Sequence, residues 1–586
     1  MTFLRELLAV IIGIFISVFI MFLVFAAIGA AFSKEEDITV KNNSVLTLKL
    51  DKTIKDYAPK SDDPFEALFD LGDDKMGLNK IIIAIENAKF DDNIKGISIE
   101  ALQINAGFAQ LQSLRNKLFE FKETGKFITS YADFYDQKNY YLSSTADSIF
   151  VNPVGGVDFR GLGGEILYFK DFQDKYGIKM EVIRHGKYKS AVEPFLSNKM
   201  SAENREQTQS FLNSIWGELL EDIGYSRKKT SDELNYIADE LLTRNSELAI
   251  ENEMISGELY KDEYQNILRE LVGIEKDDKL KIISLEDYIK SGGGNVKSTA
   301  KDRVAVIYAQ GEIIYGKGDE NNIGQELIVN ALRKARENSK VKAIVLRVNS
   351  PGGSGLASDI IWRELELTKK EKPLVVSMGN LAASGGYYIA CNADKIYAEP
   401  TTITGSIGVF GAVPNISKLS DKIGINAEQV GTNKQSNGYS LFESITPEFY
   451  NITKESIEDF YKTFVNKVAE GRNMTFAQID SIAQGRVWTG KQAKENGLID
   501  ELGSLEDAVN AAAGLANLDN YRVRNYPNYK KDFKDFKSQV PFLNINKNAM
   551  LEQELGVENY KIYKQIKDFS QLKGIQARLP FTIDIK

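Results

Sequence analysis

One cysteine and one histidine stand among 586 residues. Cys391 has no partner for an intramolecular disulfide, and His185 alone leaves little from which to build a histidine-based triad or a metal site. No metal and no cofactor are expected. Basic charge is not in surplus either: 73 Lys and Arg against 82 Asp and Glu give a formal charge of −9, which argues against nucleic acid as a partner. The chemistry must therefore proceed without thiol or imidazole. Cys391, just after a serine-bearing segment, reads as a small core residue. His185, two residues before Lys187, reads as a packing or capping residue, with lining of a site as the alternative.

Charge is also missing from Leu7 to Phe32, a run dominated by Leu, Ile, Val, Phe and Ala. About 20 apolar residues span a bilayer as a helix, so 7–33 is expected to be a retained transmembrane anchor, with a cleaved leader as the alternative. Arg5 and the amino terminus precede the run and Lys34-Glu35-Glu36-Asp37 follows it, which puts residues 1–6 in the cytoplasm. The expected location is thus the inner membrane, single-pass, with the body facing the periplasm or exterior.

The body repeats itself. Ile94-Lys95-Gly96-Ile97 aligns with Val341-Lys342-Ala343-Ile344, and Tyr140-Tyr141 with Tyr387-Tyr388, both at a separation of 247 (341 − 94 and 387 − 140). Short β-branched runs alternate with helical periodicity in each copy, which predicts parallel α/β architecture. The flexible run Ser291-Gly292-Gly293-Gly294 separates the copies. We therefore expect one repeat over 40–290, a second over 296–515, and an extension over 516–586 without a counterpart, read as a solvated, partly helical cap. Ser201 to Leu242 is expected to be a long helical stretch.

Three motifs in the second copy point to acyl chemistry. Asn349-Ser350-Pro351-Gly352-Gly353-Ser354 follows a strand, and glycines there let a backbone N–H approach a reacting carbonyl, which makes Gly353 a candidate oxyanion donor. Ala382-Ala383-Ser384-Gly385-Gly386 follows another strand and puts the Ser384 hydroxyl at a helix N-terminus, where the Gly385 N–H can converge with that of Gly353. Thr404-Gly405-Ser406-Ile407-Gly408 offers a second hydroxyl, Ser406, that can orient a base. Along the 247-residue offset the first copy has Gln137 where the second has Ser384, so only the second copy supplies a nucleophile. A serine needs a base, and lysine is the available substitute for histidine. Lys189, within Gly186-Lys187-Tyr188-Lys189-Ser190-Ala191-Val192-Glu193-Pro194-Phe195, would serve only if burial removed its charge. Lys434, within Gly431-Thr432-Asn433-Lys434, is the rival.

These segments, with Gly485-Arg486-Val487-Trp488-Thr489-Gly490, resemble the long duplicated form of the bacterial signal peptide peptidase A (protease IV) family, over the anchor and about residues 40–515. The resemblance implies two tandem ClpP/crotonase-like repeats and a Ser/Lys dyad, with Ser384 as nucleophile, Lys189 as general base, Gly353 and Gly385 as oxyanion donors, and Ser406 contacting the lysine. It also implies a homotetramer that digests released signal peptides as its substrates, next to the lipid bilayer. Two other readings stand beside it: a crotonase-type acyl-CoA enzyme, which uses similar glycine oxyanion holes without a nucleophile, and a non-catalytic membrane scaffold.

Overall fold

The computed structural model describes residues 38–59, 75–296, 298–529 and 576–578, with a few isolated positions between 5 and 20 and at 556 and 560. The anchor expected over 7–33 lies outside this set apart from such isolated positions. Among the described residues, no helix is long and apolar enough to cross a membrane.

Val45, Leu46 and Leu48 in the strand Ser44–Leu48, and Ile97 and Ile99 in Ile94–Ile99, are almost fully buried. Continuous apolar runs of this kind belong to parallel sheets covered on both faces. The first repeat accordingly forms a six-stranded parallel sheet in the order Gly257–Glu258, Ser148–Val151, Phe127–Ala132, Ile94–Ile99, Ser44–Leu48, Lys281–Ser284. In the second repeat, strands Arg303–Gln310, Val341–Ser350 and Leu374–Ala383 form the centre of an eight-stranded sheet. Its outermost strand is Arg522–Tyr526, past the boundary expected at 515.

The 247-residue offset holds element by element from Lys75 to Val151, whereas the opening strands Ser44–Leu48 and Arg303–Gln310 lie 259 residues apart (303 − 44). Helix Leu78–Phe90 matches Gln325–Glu337, helix Phe108–Lys122 matches Gly355–Lys369, and strand Ser148–Val151 matches Lys395–Ala398. The helical stretch expected from Ser201 to Leu242 is broken once. Lys228, at φ 56°, ends helix Ala202–Arg227, and Thr230 caps Ser231–Asp239 by accepting from the Glu233 N–H. Between the sheets the chain turns through Ile289–Gly293, with Gly292 at φ 106°.

A third sheet joins the repeats. Strand Lys179–His185 of the first repeat runs antiparallel to Val409–Asn415 of the second over seven residue pairs. Buried polar contacts reinforce the junction: Asp56 Oδ1 lies 3.1 Å from an Arg347 guanidinium nitrogen with both side chains 1 % exposed, and the Ser113 hydroxyl donates to Glu399 at 2.6 Å. On the far side of that sheet, Gln576–Arg578 from the extension forms a further strand between Gly352–Ser354 and Val409–Asn415. This part of the extension is sheet rather than the solvated cap expected of it.

Candidate active site

Strand Leu374–Ala383 ends at Ser384, which stands immediately before helix Gly385–Ala390. The serine takes φ 57° and ψ −117°, a conformation that costs an L-residue of order 1–3 kcal/mol and persists only where its surroundings enforce it. Enforcement comes from both sides, because the Ser384 N–H donates to the Gly405 carbonyl at 2.8 Å and the Tyr388 N–H donates to the Ser384 carbonyl at 2.8 Å. The hydroxyl is thereby fixed at the top of the sheet.

Lys189 reaches it from the other repeat. Its Nζ is 2.9 Å from Ser384 Oγ, 3.0 Å from Ser406 Oγ and 3.3 Å from the Ser406 carbonyl oxygen. The pair lies within one chain. Lys189 is fully buried, and burial drives its amine well below the usual lysine range. Among the described residues no carboxylate is a hydrogen-bond partner of this amine. Such an amine can accept the Ser384 proton, while its remaining hydrogens are free to donate to the Ser406 oxygens.

Why the lysine lies here is legible in its seat. Strand Lys179–His185 delivers the chain to Gly186, after which the Tyr188 N–H donates to the Gln484 carbonyl at 3.0 Å and the Arg184 guanidinium donates to the Lys189 carbonyl at 3.0 Å. The Lys189 stem packs on Gly485, at φ 80°, where a Cβ would sit 2.7 Å from the lysine Cβ. Gln207 ties the segment to the long helix by donating to the Tyr188 carbonyl and the Ser190 hydroxyl. In the sequence the Gly485 motif carries no visible role, and neither Gln207 nor Arg184 stands out as part of the site.

The glycines converge as well. A Cβ on Gly352 would lie 2.7 Å from the Gly385 nitrogen, and one on Gly353, at φ 151°, would collide with the Ile313 backbone at 2.1 Å. Only glycine allows this close approach. The turn at Gly352-Gly353 therefore packs with Gly352 against Gly385, the residue that follows Ser384. Ser406, also at positive φ (49°), is held by its N–H donating to the Arg486 carbonyl at 2.7 Å.

The remaining candidates lie elsewhere. Lys434 is exposed in the irregular segment 431–438, among polar neighbours. His185 stacks on Tyr461 with ring centroids 3.9 Å apart, and burial lowers its basicity. Cys391 is fully buried, its thiol pushed up to about 12 and donating to the Tyr388 carbonyl. In the first copy the matching position is closed: Gln137 accepts from the Arg160 and Gly161 N–H groups and donates to the Gly161 carbonyl. Ala106 stands there in the place of Gly353 (353 − 247).

The model of peptidase family S49 matches residues 120–275 and 366–519, together more than half of the chain. The chain belongs to peptidase family S49. It is a serine peptidase built from tandem ClpP-like α/β repeats, and a Clp protease model also matches residues 297–405. Protease 4 of Haemophilus influenzae is 36% identical over 513 residues, covering 85% of this chain and 83% of the relative. The chloroplastic serine protease SPPA of Arabidopsis thaliana is 33% identical, covering 82% and 70%. A putative protease of Methanocaldococcus jannaschii is 35% identical over 240 residues, covering 40% of this chain and 77% of its own. This S49 chain thus aligns along most of its length with some relatives and over less than half of it with another, as a duplicated body should.

Proposed function

We propose that this S49 peptidase hydrolyses extended apolar peptides, released signal peptides among them, by acyl transfer through Ser384 with Lys189 as general base. Ser384 Oγ attacks the scissile carbonyl and its proton passes to Lys189 Nζ. The oxyanion is met by the N–H groups of Gly353 and Gly385, and the protonated lysine returns the proton to the leaving amine. Water then repeats the sequence against the ester. Ser406 holds the amine in line. One observation carries this reading: a fully buried amine with a depressed pKa lies 2.9 Å from a strained serine hydroxyl. Neither an acyl-CoA enzyme without a nucleophile nor a scaffold accounts for that pairing.

Extended substrates suit a site flanked by two strand edges, Gly352–Ser354 and Val409–Asn415, because a peptide can add as a strand between them. Anchoring by 7–33 in the inner membrane, with the body facing the periplasm, rests on the uncharged run and would hold the site near its apolar substrates. A ring of four copies is supported by two unmatched segments. Residues 162–168 and 426–432 are the counterparts, at the 247-residue offset, of the paired strands Val409–Asn415 and Lys179–His185, yet neither is in a strand within the chain. The same antiparallel pairing made head-to-tail between copies would close a ring. The test is turnover of a fluorogenic apolar peptide by the body from residue 40, with Ser384→Ala as the inactive control. Light scattering on the same sample reads the subunit number. Peptide turnover that survived Ser384→Ala would sink the assignment.

A further inference from the structure

One buried amide touches both arms of the site. Gln207, 1 % exposed, lies in the second turn of helix Ala202–Arg227. Its nitrogen donates to the Tyr188 carbonyl at 3.0 Å and to the Ser190 hydroxyl at 2.9 Å, the residues on either side of Lys189. Its oxygen accepts from the Val487 N–H at 3.3 Å, and the carbonyl of the preceding residue, Arg486, accepts from the Ser406 N–H at 2.7 Å. A carbonyl can only accept and a backbone N–H can only donate, so the amide is needed in one orientation and no carboxylate or apolar side chain can replace it at both ends. Further along the same helix the docking onto the second repeat continues. Gln492 donates to the Ser210 hydroxyl at 3.1 Å, the Ser214 and Thr489 hydroxyls are 2.7 Å apart, and the Lys491 ammonium binds the Glu218 carboxylate. Gln207 is the point at which this ladder meets the base.

We propose that Gln207 is a positioning residue for the general base, holding the Lys189 loop of one repeat and the Ser406 loop of the other in a single register. The inference rests on the peptidase reading of Ser384 and Lys189 and adds to it the group that keeps the two in line. A lysine amine sits at the end of four rotatable bonds, so it stays 2.9 Å from Ser384 only if the backbone behind it is fixed. From the second repeat that backbone is held by the Gln484 carbonyl, which accepts from the Tyr188 N–H; from the helix it is held by Gln207. The same amide keeps the loop closed. The Lys189 amine faces the Ser384 and Ser406 hydroxyls, the Ser406 carbonyl and the Phe410 ring, whose centroid is 6.0 Å away, while the Arg184 guanidinium meets only the lysine carbonyl. Burial alone lowers its basicity. A loop freed from Gln207 admits water to the amine and gives part of that basicity back.

The test compares the full chain, wild type and Ser384→Ala, with Gln207→Met, which removes both bonds, and Gln207→Glu, which keeps the acceptor for Val487 but cannot donate to Tyr188 when ionised. Lys491→Met breaks the same helix from the same segment about three turns away and controls for loosened docking. Turnover of a fluorogenic peptide is followed from pH 5 to 10, with kcat expressed per serine labelled by a fluorophosphonate so that unfolded chain is not counted. Both Gln207 variants are expected to lose about tenfold to a hundredfold in kcat with KM within about twofold, the scale of a misplaced reacting group. The acid limb of the Gln207→Met profile should move to higher pH, and Lys491→Met should keep the wild-type profile. Gln207 variants with the kcat and acid limb of the wild type overturn the proposal and leave the peptidase reading standing. So does a loss confined to KM, or one reproduced in full by Lys491→Met. A wild-type chain that neither turns over the peptide nor labels at Ser384 overturns both.

Discussion

Lys189 Nζ and Ser384 Oγ are 2.9 Å apart although 195 residues separate them and each belongs to a different copy of the same fold unit. The antiparallel pairing of Lys179–His185 with Val409–Asn415 makes this meeting possible, because it carries the lysine-bearing loop over the serine-bearing sheet. Lys189→Met is therefore expected to lower kcat/KM for a peptide by roughly a thousandfold or more, the scale of losing a general base. Its melting temperature should be held or raised, since methionine fills the space without a charge to desolvate. Lys434→Ala, in an exposed segment, should leave turnover unchanged. Activity lost in Lys434→Ala and kept in Lys189→Met would reverse the assignment.

The pH dependence has a definite sign. Burial lowers the Lys189 pKa well below 10.5, so the neutral, proton-accepting form predominates above that lowered value. Peptide turnover should rise with pH across the lysine's depressed pKa and then level off, and it should be lost on the acid side where the ammonium cannot accept a proton. Removing the 3.0 Å contact in Ser406→Ala should cost about tenfold to a hundredfold in kcat, as expected for one hydrogen bond to the reacting base. A profile in Ser406→Ala identical in height and shape to that of the wild type would exclude Ser406 as a positioning group.

Much of this site was legible in the sequence, and the reason is local. Gly352-Gly353, Ser384-Gly385 and Ser406 each sit in a short motif whose backbone demands, a close approach or a positive φ, are printed in the residues themselves. The 247-residue offset likewise exposed the duplicated fold, since it persists from Lys75–Gly77 against Asn322–Gly324 to Ser148–Val151 against Lys395–Ala398. Long-range relations left no such mark. Nothing in Gly485 announces that it seats the Lys189 stem, because the reason is a side chain some three hundred positions earlier. Gln576-Ala577-Arg578 has no apolar alternation to suggest a strand, since its pairing is supplied by two edges built elsewhere. Glu399 and Asp56 look like ordinary surface acids until the repeats close over them.

Glu399 gives the junction its own pH signature. It is 2 % exposed, accepts from the Ser113 hydroxyl, and burial pushes its carboxyl up to about 7. The folded state thus holds a proton that the unfolded chain, at the ordinary value near 4.5, has released. Between those two values stability must fall as pH rises, and above about 7 the loss is complete. Glu399→Gln keeps the shape without the ionisation, so it should be more stable than wild type by about 3 kcal/mol at pH 8 and nearly equal to it at pH 4. Urea unfolding at the two pH values measures the difference, and an equal gap at both would refute the buried titration.

Asp56 and Arg347 make the opposite case, a junction that depends on charge. Both side chains are 1 % exposed with oxygen and nitrogen 3.1 Å apart, and Arg347 also donates to the Ser377 hydroxyl and the Met378 carbonyl, on the strand that leads to Ser384. Removing only the aspartate leaves a guanidinium buried without its counter-charge, which typically costs 3–5 kcal/mol. Asp56→Ala should destabilise by about that amount and should also lower peptide turnover, because Arg347 then pulls on the strand bearing the nucleophile. The double variant Asp56→Ala with Arg347→Met removes both charges together and should recover most of the lost stability, since an apolar pair needs no compensation. Denaturant unfolding of the two single variants and the double gives the coupling. Single-variant losses that simply add in the double would mean that the two side chains act independently, with no ionic link across the repeats.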